Sequence, residues 1–234
     1  MNSTRIALRN LNRQKKRSFL LGGAIAFGIL IVTLIDGFTG SFVHNVDENF
    51  SHLLAGHIFI TGYEKLASGR RVSVIRDDSV LTSVIESSGI PVKYITRSSD
   101  FRGTLIFQNN SVAQQVIGTD WAHAGYLRDR LVLVKGSFEN MKKREGVIIS
   151  QKIAEKLKAD VGDTVLVKMQ TVTGQMNVGE FQVAAICYDP GLFGSIAAYA
   201  NRDYVNELLN ITPTEYQTMG IFLTDMTRMD ADAA

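Results

Sequence analysis

Cysteine is almost absent from this 234-residue sequence, which contains only Cys187. A single thiol cannot form an internal disulfide, and neither CxxC pairs nor the cysteine spacings of zinc sites are possible. The pattern GxxxxGK[ST] is missing as well, so no segment has the P-loop sequence that cradles nucleotide phosphates. Ser150 lacks the glycine-flanked elbow of a hydrolase. We therefore expect a protein that is held together by packing, is not an enzyme and needs no cofactor.

Acidic residues are missing from the first 17 positions, although the whole chain has a net charge of only +2. The six cations of this arm leave the rest of the chain net acidic by about four charges, which argues against a nucleic-acid partner. We interpret residues 1–17 as a basic arm that fixes membrane topology. Its cations are Arg5, Arg9, Arg13, Lys15, Lys16 and Arg17.

An apolar run follows the arm. Residues 18–35 read SFLLGGAIAFGILIVTLI and contain no charge. At about 1.5 Å per helical residue the run covers roughly 27 Å, close to the hydrocarbon thickness of a bilayer. We predict a transmembrane helix and the start of a stalk over 18–43. Because Lys and Arg are retained on the cytoplasmic side, the arm is expected in the cytoplasm and residues 44–234 outside an inner membrane, in one or two lobes.

A cleaved signal peptide is the alternative interpretation, since a basic region followed by an apolar region describes both. The apolar run exceeds the usual roughly seven to fifteen residues of a signal peptide. The following segment, DGFTG at 36–40, is not a clean small-x-small cleavage site. A retained anchor is therefore favoured.

Two parts of the anchor are candidates for contacts. Gly22, Gly23 and Gly28 leave a thin strip where another helix could approach closely, although glycine is also simply common in membrane helices. The arm alternates apolar and basic residues, and an amphipathic basic helix gains from lying on anionic lipid. A purely topogenic charge cluster explains the arm equally well.

Apolar residues recur at helical spacing from Phe38 to Leu54, so the helix is expected to project beyond the membrane until Gly56 stops it. Beyond it, short helices and strands follow without regular alternation, which indicates an α+β domain. Ser150 should cap one helix, and an aspartate another. We predict helices at 77–88, 150–157 and 202–209, and strands at 57–63, 91–96, 101–108, 111–118, 147–149, 164–169, 179–188, 195–200 and 219–224.

Several segments together resemble one permease family. The opening IALRNL at 6–11, the basic cluster and the first span are similar to the start of MacB-type ABC transporter permeases, including the lipoprotein-releasing LolC and LolE branch. Gly56-His57-Ile58 is similar to the strand that opens the periplasmic domain of that branch. GVIIS at 146–150, VGDTV at 161–165 and FQV at 181–183 follow the order and spacing of the family's periplasmic core domain.

The resemblance implies a permease subunit of a type VII ABC transporter, which does not pass substrate through its own spans. In that family a separate cytoplasmic ATPase closes a permease dimer, and stalk helices carry the closure to the periplasmic domains, which release lipoproteins or drive export. The implied partners are an ATPase, a second permease in a homo- or heterodimer, an exported substrate and membrane lipid. The segment at 56–58 favours lipoproteins, while peptide or drug export stays open.

The family also has three further membrane spans after the periplasmic domain, whereas this sequence shows no second apolar run. The sequence is therefore expected to be a fragment, part of a split permease, or a permease that has lost transport. A membrane-tethered binding module without transport is the alternative function.

Few outer-domain residues are candidates for a functional role. Leu192 and Phe193 lie in a glycine-bounded loop and are candidates for partner contact. Trp121, with Tyr126 nearby, fits either a lipid groove or the core. Cys187 lies in an apolar strand and is expected to be buried.

A metal site on the stalk is disfavoured. Asp47, Glu48 and His52 could share a helical face, but a metal site needs three or four convergent ligands, and charged residues on a stalk are ordinarily solvated. No residue is nominated as catalytic.

Overall fold

The computed structural model describes residues 15–54, 56–66, 69–188 and 197–224, with side chains over these ranges except at 15, 18 and 40–54. The chain forms two compact units, Met1–Asn49 and Phe50–Ala234.

Helix α1 (Lys15–Leu54) is continuous over 40 residues, about 60 Å at 1.5 Å per residue. The prediction of one helix that runs through the apolar segment and ends before Gly56 is confirmed. Its segment Phe19–Thr39 has a mean hydropathy of 2.3 and is long and apolar enough to cross a membrane. None of that window is buried in the structure, so its apolar side chains need lipid or other helices to cover them.

The second unit is a mixed α/β domain, as the α+β prediction required. Its helices are α2 (Ser79–Ser87), α3 (Gly125–Arg130), the 3₁₀ helix (Phe138–Lys142), α4 (Gln151–Leu157) and α5 (Arg202–Leu209). Its strands are β1 (Ile58–Thr61), β2 (Tyr63–Lys65), β3 (Arg71–Ser73), β4 (Val92–Phe107), β5 (Asn110–Thr119), β6 (Leu133–Gly136), β7 (Gly146–Ser150), β8 (Thr164–Gln170), β9 (Met176–Cys187), β10 (Ala197–Asn201) and β11 (Thr218–Leu223).

Six strands close into a ring. The order β4–β5–β10–β7–β9 is completed by β8, which pairs with β9 on one side and with Thr104–Ile106 of β4 on the other. β10 runs parallel to β5 and β7 parallel to β9, while the other ring pairs are antiparallel. β6 adds to β9 outside the ring. The first half of β4 extends away from the ring and pairs with β11, which in turn pairs with β1.

The alternation of side chains along the ring strands produces two cores. Val116 belongs to the core that the ring shares with α4 and α5, whereas its neighbour Ile117 belongs to the core under α3 and the 3₁₀ helix. Val147 and Ile148 divide in the same way, because successive strand residues face opposite sides. A third cluster packs α2 on β11 and β1, with Met219 and Ile221 at its centre.

Several predicted boundaries are wrong. The strands predicted at 91–96 and 101–108 are one 16-residue strand, β4, and the strand predicted from 179 begins at Met176. The strand predicted over 57–63 ends at Thr61, and Tyr63 starts β2 of a separate two-stranded hairpin. α3, β3, β6 and the 3₁₀ helix were not predicted.

Ser150 caps α4 as predicted. Its fully buried hydroxyl accepts a hydrogen bond from the Ile153 N–H at 3.4 Å. We expect Ser150→Ala to lower the free energy of unfolding by about 1 kcal/mol, since it leaves a first-turn N–H without its acceptor. Thermal unfolding of the full chain in detergent measures this. Ser137→Ala is the control, because Ser137 also caps a helix but is exposed and water can replace its hydroxyl. Equal losses in the two variants would contradict the role of burial.

Candidate functional site

The predicted anchor residues lie partly within the described chain. Arg5, Arg9 and Arg13 lie outside the described residues, Lys15 begins α1, and Lys16 and Arg17 are exposed. Gly22, Gly23 and Gly28 lie on the apolar helix, and a Cβ built at each would meet no atom within 4 Å. The strip is therefore open to an approaching helix, and its role in helix packing stays a prediction, as does the topogenic role of the arm.

Leu192 and Phe193 lie outside the described residues. The described range that precedes this loop ends at Tyr188. Tyr188, Val132 and Val134 have exposed apolar side chains. The Tyr188 N–H donates to the Val132 carbonyl at 2.7 Å, so these side chains belong to one sheet edge. The role of the loop in partner contact stays a prediction.

Trp121 is a core residue. It is 6% exposed, its Nε1–H donates to the Ala200 carbonyl at 3.1 Å, and its ring lies 6.1 Å from that of Phe138. Cys187 is buried in the same core, as expected. Tyr126 packs against the edge of this core, and its ring also contacts those of Tyr94 and Phe222. The core interpretation of Trp121 therefore describes its packing better than a lipid groove shared with Tyr126.

The three residues of the disfavoured metal site, Asp47, Glu48 and His52, lie outside the described side chains. Among the side chains that the structure describes, no group of three or more His, Cys, Asp or Glu residues is placed to hold a metal ion. His123 Nδ1 lies 2.9 Å from the Asp120 carboxylate at an exposed position.

The chain that follows α1 is bonded directly to β11. Gly56 has φ +105°, which glycine adopts without strain, and a Cβ there would lie 3.0 Å from the backbone nitrogen of Ile221. The His57 N–H donates to the Ile221 carbonyl at 3.0 Å. The His57 ring accepts from the Leu223 N–H through Nδ1, also at 3.0 Å. Two hydrogen bonds therefore fix the start of the outer domain to β11.

β4 connects β11 to the ring. Residues Val92–Ser98 pair with β11, and residues Ser99–Phe107 pair with β5 of the ring. The change of partner falls between Ser98 and Ser99, where Gln217 accepts a hydrogen bond from the Asp100 N–H at 2.7 Å through its side-chain oxygen. One strand therefore belongs to both sheets, and no loop separates its β11-paired half from its β5-paired half.

An aromatic cluster joins α3 to the same strands. The ring centroid of Phe222 on β11 lies 4.5 Å from Tyr94 on β4 and 5.0 Å from Tyr126 on α3. The two tyrosine rings stack at 5.3 Å. Burial raises the pKa of Tyr126 to about 12, so this ring stays neutral at physiological pH. The cluster therefore fixes the angle between the β4–β11 sheet and α3 by packing.

An ionic network ties α2 and the β2–β3 hairpin to the chain that leads into β11. The Arg97 guanidinium donates to Asp78 at 2.6 Å, and the Tyr216 hydroxyl donates to the same carboxylate at 2.8 Å. Arg76 bridges Glu64, at 2.8 Å, and the nearly buried Glu215. These residues are far apart in the sequence, so no local pattern could have indicated the network.

The network holds the pKa values of two carboxyl groups low. Burial raises the pKa of Asp78, but hydrogen bonds from Arg97 and Tyr216 outweigh it and bring the pKa below the ordinary value. For Glu215 burial likewise acts upward, and the Thr212 N–H and Arg76 bring the pKa down. Both groups therefore stabilise the fold in their charged form.

Acid should weaken this part of the domain. A carboxyl group with a depressed folded-state pKa contributes stability above its unfolded-state pKa, about 4, and loses it as pH falls through the folded-state value. We expect the melting temperature to fall as pH is lowered from about 5 to 3. Asp78→Asn should be less stable at pH 7, and its melting temperature should fall less over that range. Glu86→Gln, which removes an exposed carboxylate from α2 outside the network, is the control. An Asp78→Asn profile parallel to wild type would refute the argument.

Comparisons with known proteins agree with this architecture. A family model described as the MacB-like periplasmic core domain matches residues 18–232. No curated protein matches at a significant level. Solved structures that are similar to this chain include the following three, each with a TM-score below 0.5.

The extracellular domain of the noncanonic ABC-type transporter YknZ from Gram-positive bacteria is 15% identical, with 69% of this chain and 87% of that one covered and a TM-score of 0.44. The periplasmic region of MacB from Actinobacillus actinomycetemcomitans is 14% identical, with 74% and 77% covered and a TM-score of 0.45. A domain of a protein described as a permease from Porphyromonas gingivalis is 14% identical, with 61% and 65% covered and a TM-score of 0.39. The family-model match, which spans nearly the whole chain, decides the assignment: this chain belongs to the MacB-like periplasmic core domain family of type VII ABC transporters.

Proposed function

We propose that this chain is the permease subunit, or the N-terminal portion of one, of a type VII ABC transporter. It couples ATP hydrolysis by a separate cytoplasmic ATPase to substrate release or export on the outer face of the inner membrane. Lipoproteins are the favoured substrate, and the permease acts as a homo- or heterodimer. The alternative is a membrane-anchored binding module that has no transport partner.

One observation carries the proposal. The family match begins at residue 18, inside α1, and α1 continues without a break to Leu54, with three residues between it and the start of β1 at Ile58. A membrane-length helix therefore leads directly into the core domain. Since the sequence contains no P-loop, the energy for any movement of this helix has to come from a partner.

The proposed movement passes through β11 and β4. A shift of α1 pulls on Gly56 and on His57, and the His57 N–H is bonded to the Ile221 carbonyl. β11 carries the shift to the first half of β4, and the second half of β4 lies in the ring. Rigid strands and packed clusters transmit such shifts better than loops, because packed elements change between discrete arrangements rather than deforming gradually.

Topology is tested first, with single cysteine reporters in the full chain. Arg102→Cys, at an exposed position of β4, should react with a membrane-impermeant maleimide on intact spheroplasts, and Arg5→Cys only after permeabilisation. The wild-type chain gives the background labelling, because its one cysteine, Cys187, is buried. Deletion of residues 1–17 should scramble insertion or abolish it. Unchanged labelling after this deletion would show that the basic arm does not set the topology.

Coupling is tested by breaking the stalk helix. Val46→Pro removes a backbone donor and kinks the helix, whereas Val46→Ala preserves it. The chain purified from its native membrane should carry a vanadate-sensitive ATPase. The proline variant should keep the ATPase but lose release of labelled lipoprotein from spheroplasts, and the alanine variant should keep both.

The outcomes separate the two functions. If no ATPase co-purifies with the chain, the alternative function, a membrane-anchored binding module, is supported. Normal lipoprotein release by Val46→Pro would refute transmission through the stalk. If the wild-type chain binds an ATPase but releases no lipoprotein, the transporter proposal stands and the proposed substrate becomes a peptide or a drug.

A further inference from the structure

The outer domain contains a cavity of about 500 Å³ at one end of the ring. It lies where the parallel strands β5 and β10 both end, at Thr119 and Asn201. The chain that follows β5, the 3₁₀ helix and the first turn of α5 form its walls. The volume falls in the range of small-molecule sites, and the carboxyl ends of adjacent parallel strands are a common place for such sites.

Two arginines on different elements supply hydrogen-bond donors to this cavity. Arg128 of α3 donates through Nη2 to the Trp121 carbonyl. Arg202, the first residue of α5, makes a long contact of 3.4 Å from Nη2 to Asp203. Its Nε is buried and, among the described groups, has no acceptor. Each guanidinium carries five N–H donors, so most of this donor capacity is not used by the protein.

The carboxylates in the walls are engaged by their neighbours. Asp120 accepts from the Ala122 N–H at 3.1 Å and from His123, and Glu139 is paired with Lys142. Burial raises the pKa of Asp120, but hydrogen bonds from His123 and Ala122 and the charge of Arg202 bring it below its ordinary value. Asp203, the third carboxylate of the lining, contacts Arg202 at 3.4 Å. Each carboxylate therefore already contacts a donor of the protein, while both guanidinium groups keep unused N–H groups.

The N-terminus of α5 is not the source of these donors. The Asn201 side chain caps it by accepting from the Asp203 N–H at 3.1 Å. Lys142, the third cation of the lining, is paired with Glu139, so the two guanidinium groups are the donors best placed to recognise a ligand. Their planar forks match the two oxygens of a carboxylate or phosphate.

The remaining wall is apolar. Trp121, Phe138 and Met141 line it, and the two aromatic rings lie 6.1 Å apart. A simple inorganic anion would leave this wall uncovered. An apolar body attached to the anionic group would pack on it and gain from the removal of apolar surface from water.

We propose that this cavity is a binding site for a small amphiphilic oxyanion, in which a carboxylate or phosphate contacts Arg128 and Arg202 and an apolar body packs on the half-buried ring of Phe138. This site is independent of the transport function proposed above, because it involves neither α1 nor an ATPase.

Trp121 provides the measurement, since it is the only tryptophan in the chain and lies in the cavity wall. Its fluorescence is followed in the full-length protein in a neutral detergent. The probes are 4-phenylbutyrate, phenyl phosphate, the neutral 4-phenylbutyramide and inorganic phosphate. We expect a saturable change with one or both organic anions, and binding at least about tenfold weaker with the amide and with inorganic phosphate.

Variants test the assignment of each wall. Arg202→Gln and Arg128→Gln should each weaken binding about tenfold, while Arg102→Gln, at an exposed position of β4, should not change it. If either glutamine variant unfolds, Arg202→Lys keeps the charge without the fork. Ala122→Leu narrows the cavity and leaves the two guanidinium groups in place. Arg202→Lys and Ala122→Leu should each weaken binding.

The probes also identify the source of the oxyanion. Saturation by 4-phenylbutyrate alone assigns a carboxylate ligand, and saturation by phenyl phosphate alone assigns a phosphate. No saturation up to about 10 mM, equal binding of the amide, or unchanged affinity in both Arg202→Lys and Ala122→Leu would overturn the proposal.

Discussion

Replacing Ile29 and Leu30 together by arginine is expected to abolish membrane insertion of α1. Residue 29 is the midpoint of Phe19–Thr39, and both side chains are exposed on the helix. At the centre of a membrane helix each arginine costs about 2.5–3.5 kcal/mol on insertion scales, and each lost aliphatic side chain removes about 0.3–0.6 kcal/mol. The sum is about 6–8 kcal/mol, enough to reverse the insertion equilibrium. The measurement is the fraction of the chain that resists carbonate extraction.

The matched control moves the same charges to the cytoplasmic end. Phe19→Arg with Leu20→Arg places two arginines beside the natural cations Lys16 and Arg17, where their long side chains reach the interface. This variant should stay in the membrane fraction. If the central double variant also resists extraction, α1 is covered by protein rather than by lipid, and the anchor assignment fails.

The anchor was predictable because its signal is local. Eighteen uncharged residues and a flanking basic arm define a membrane helix by composition alone, and Gly56 marks the end of its extension. The α4 segment was predictable for the same reason: the Ser150 cap and a short apolar pattern lie within the segment itself.

The single strand β4 was not predictable from its residues. Polar residues from Arg97 to Asp100 interrupt its apolar pattern and suggest a loop. Three distant residues satisfy this stretch: Asp78 pairs with Arg97, and Gln217 and Gln115 bond to the Asp100 backbone and side chain. The strand stays extended through the polar segment because partners from two sheets are present there. These partners lie 15 to 117 positions away in the sequence, so the local pattern cannot show them.

The cavity was missed for a related reason. Its two arginines, Arg128 and Arg202, are 74 positions apart and are brought together by the parallel pairing of β5 with β10. Neither residue lies in a motif. α3, which carries Arg128, has six residues and only Leu127 fully buried, so its pattern is too short to distinguish a helix from a turn.

Gly136→Ala is expected to give the largest loss of stability in the outer domain. Gly136 has φ +83° and pairs with Ala185 at the edge where β6 joins β9. A Cβ there would overlap the Ala184 carbonyl oxygen and lie 2.7 Å from the Cα of Ala185. The left-handed conformation costs alanine about 1 kcal/mol, and relieving a backbone clash costs about 1–3 kcal/mol more. We expect a total of about 3 kcal/mol, or a melting temperature lower by about 9 °C.

Gly162→Ala separates the two contributions. Gly162 has φ +95°, but a Cβ there would meet no atom within 4 Å. The free energy of unfolding of this variant should therefore fall by only about 1 kcal/mol, the cost of the left-handed backbone conformation for alanine. Thermal unfolding followed by Trp121 fluorescence compares the two variants in the full-length protein. The difference between them measures the contact of β6 with β9. If both variants lose the same amount, β6 yields to the added methyl group, and the edge strand is not held rigidly against the core that contains Cys187 and Ala185.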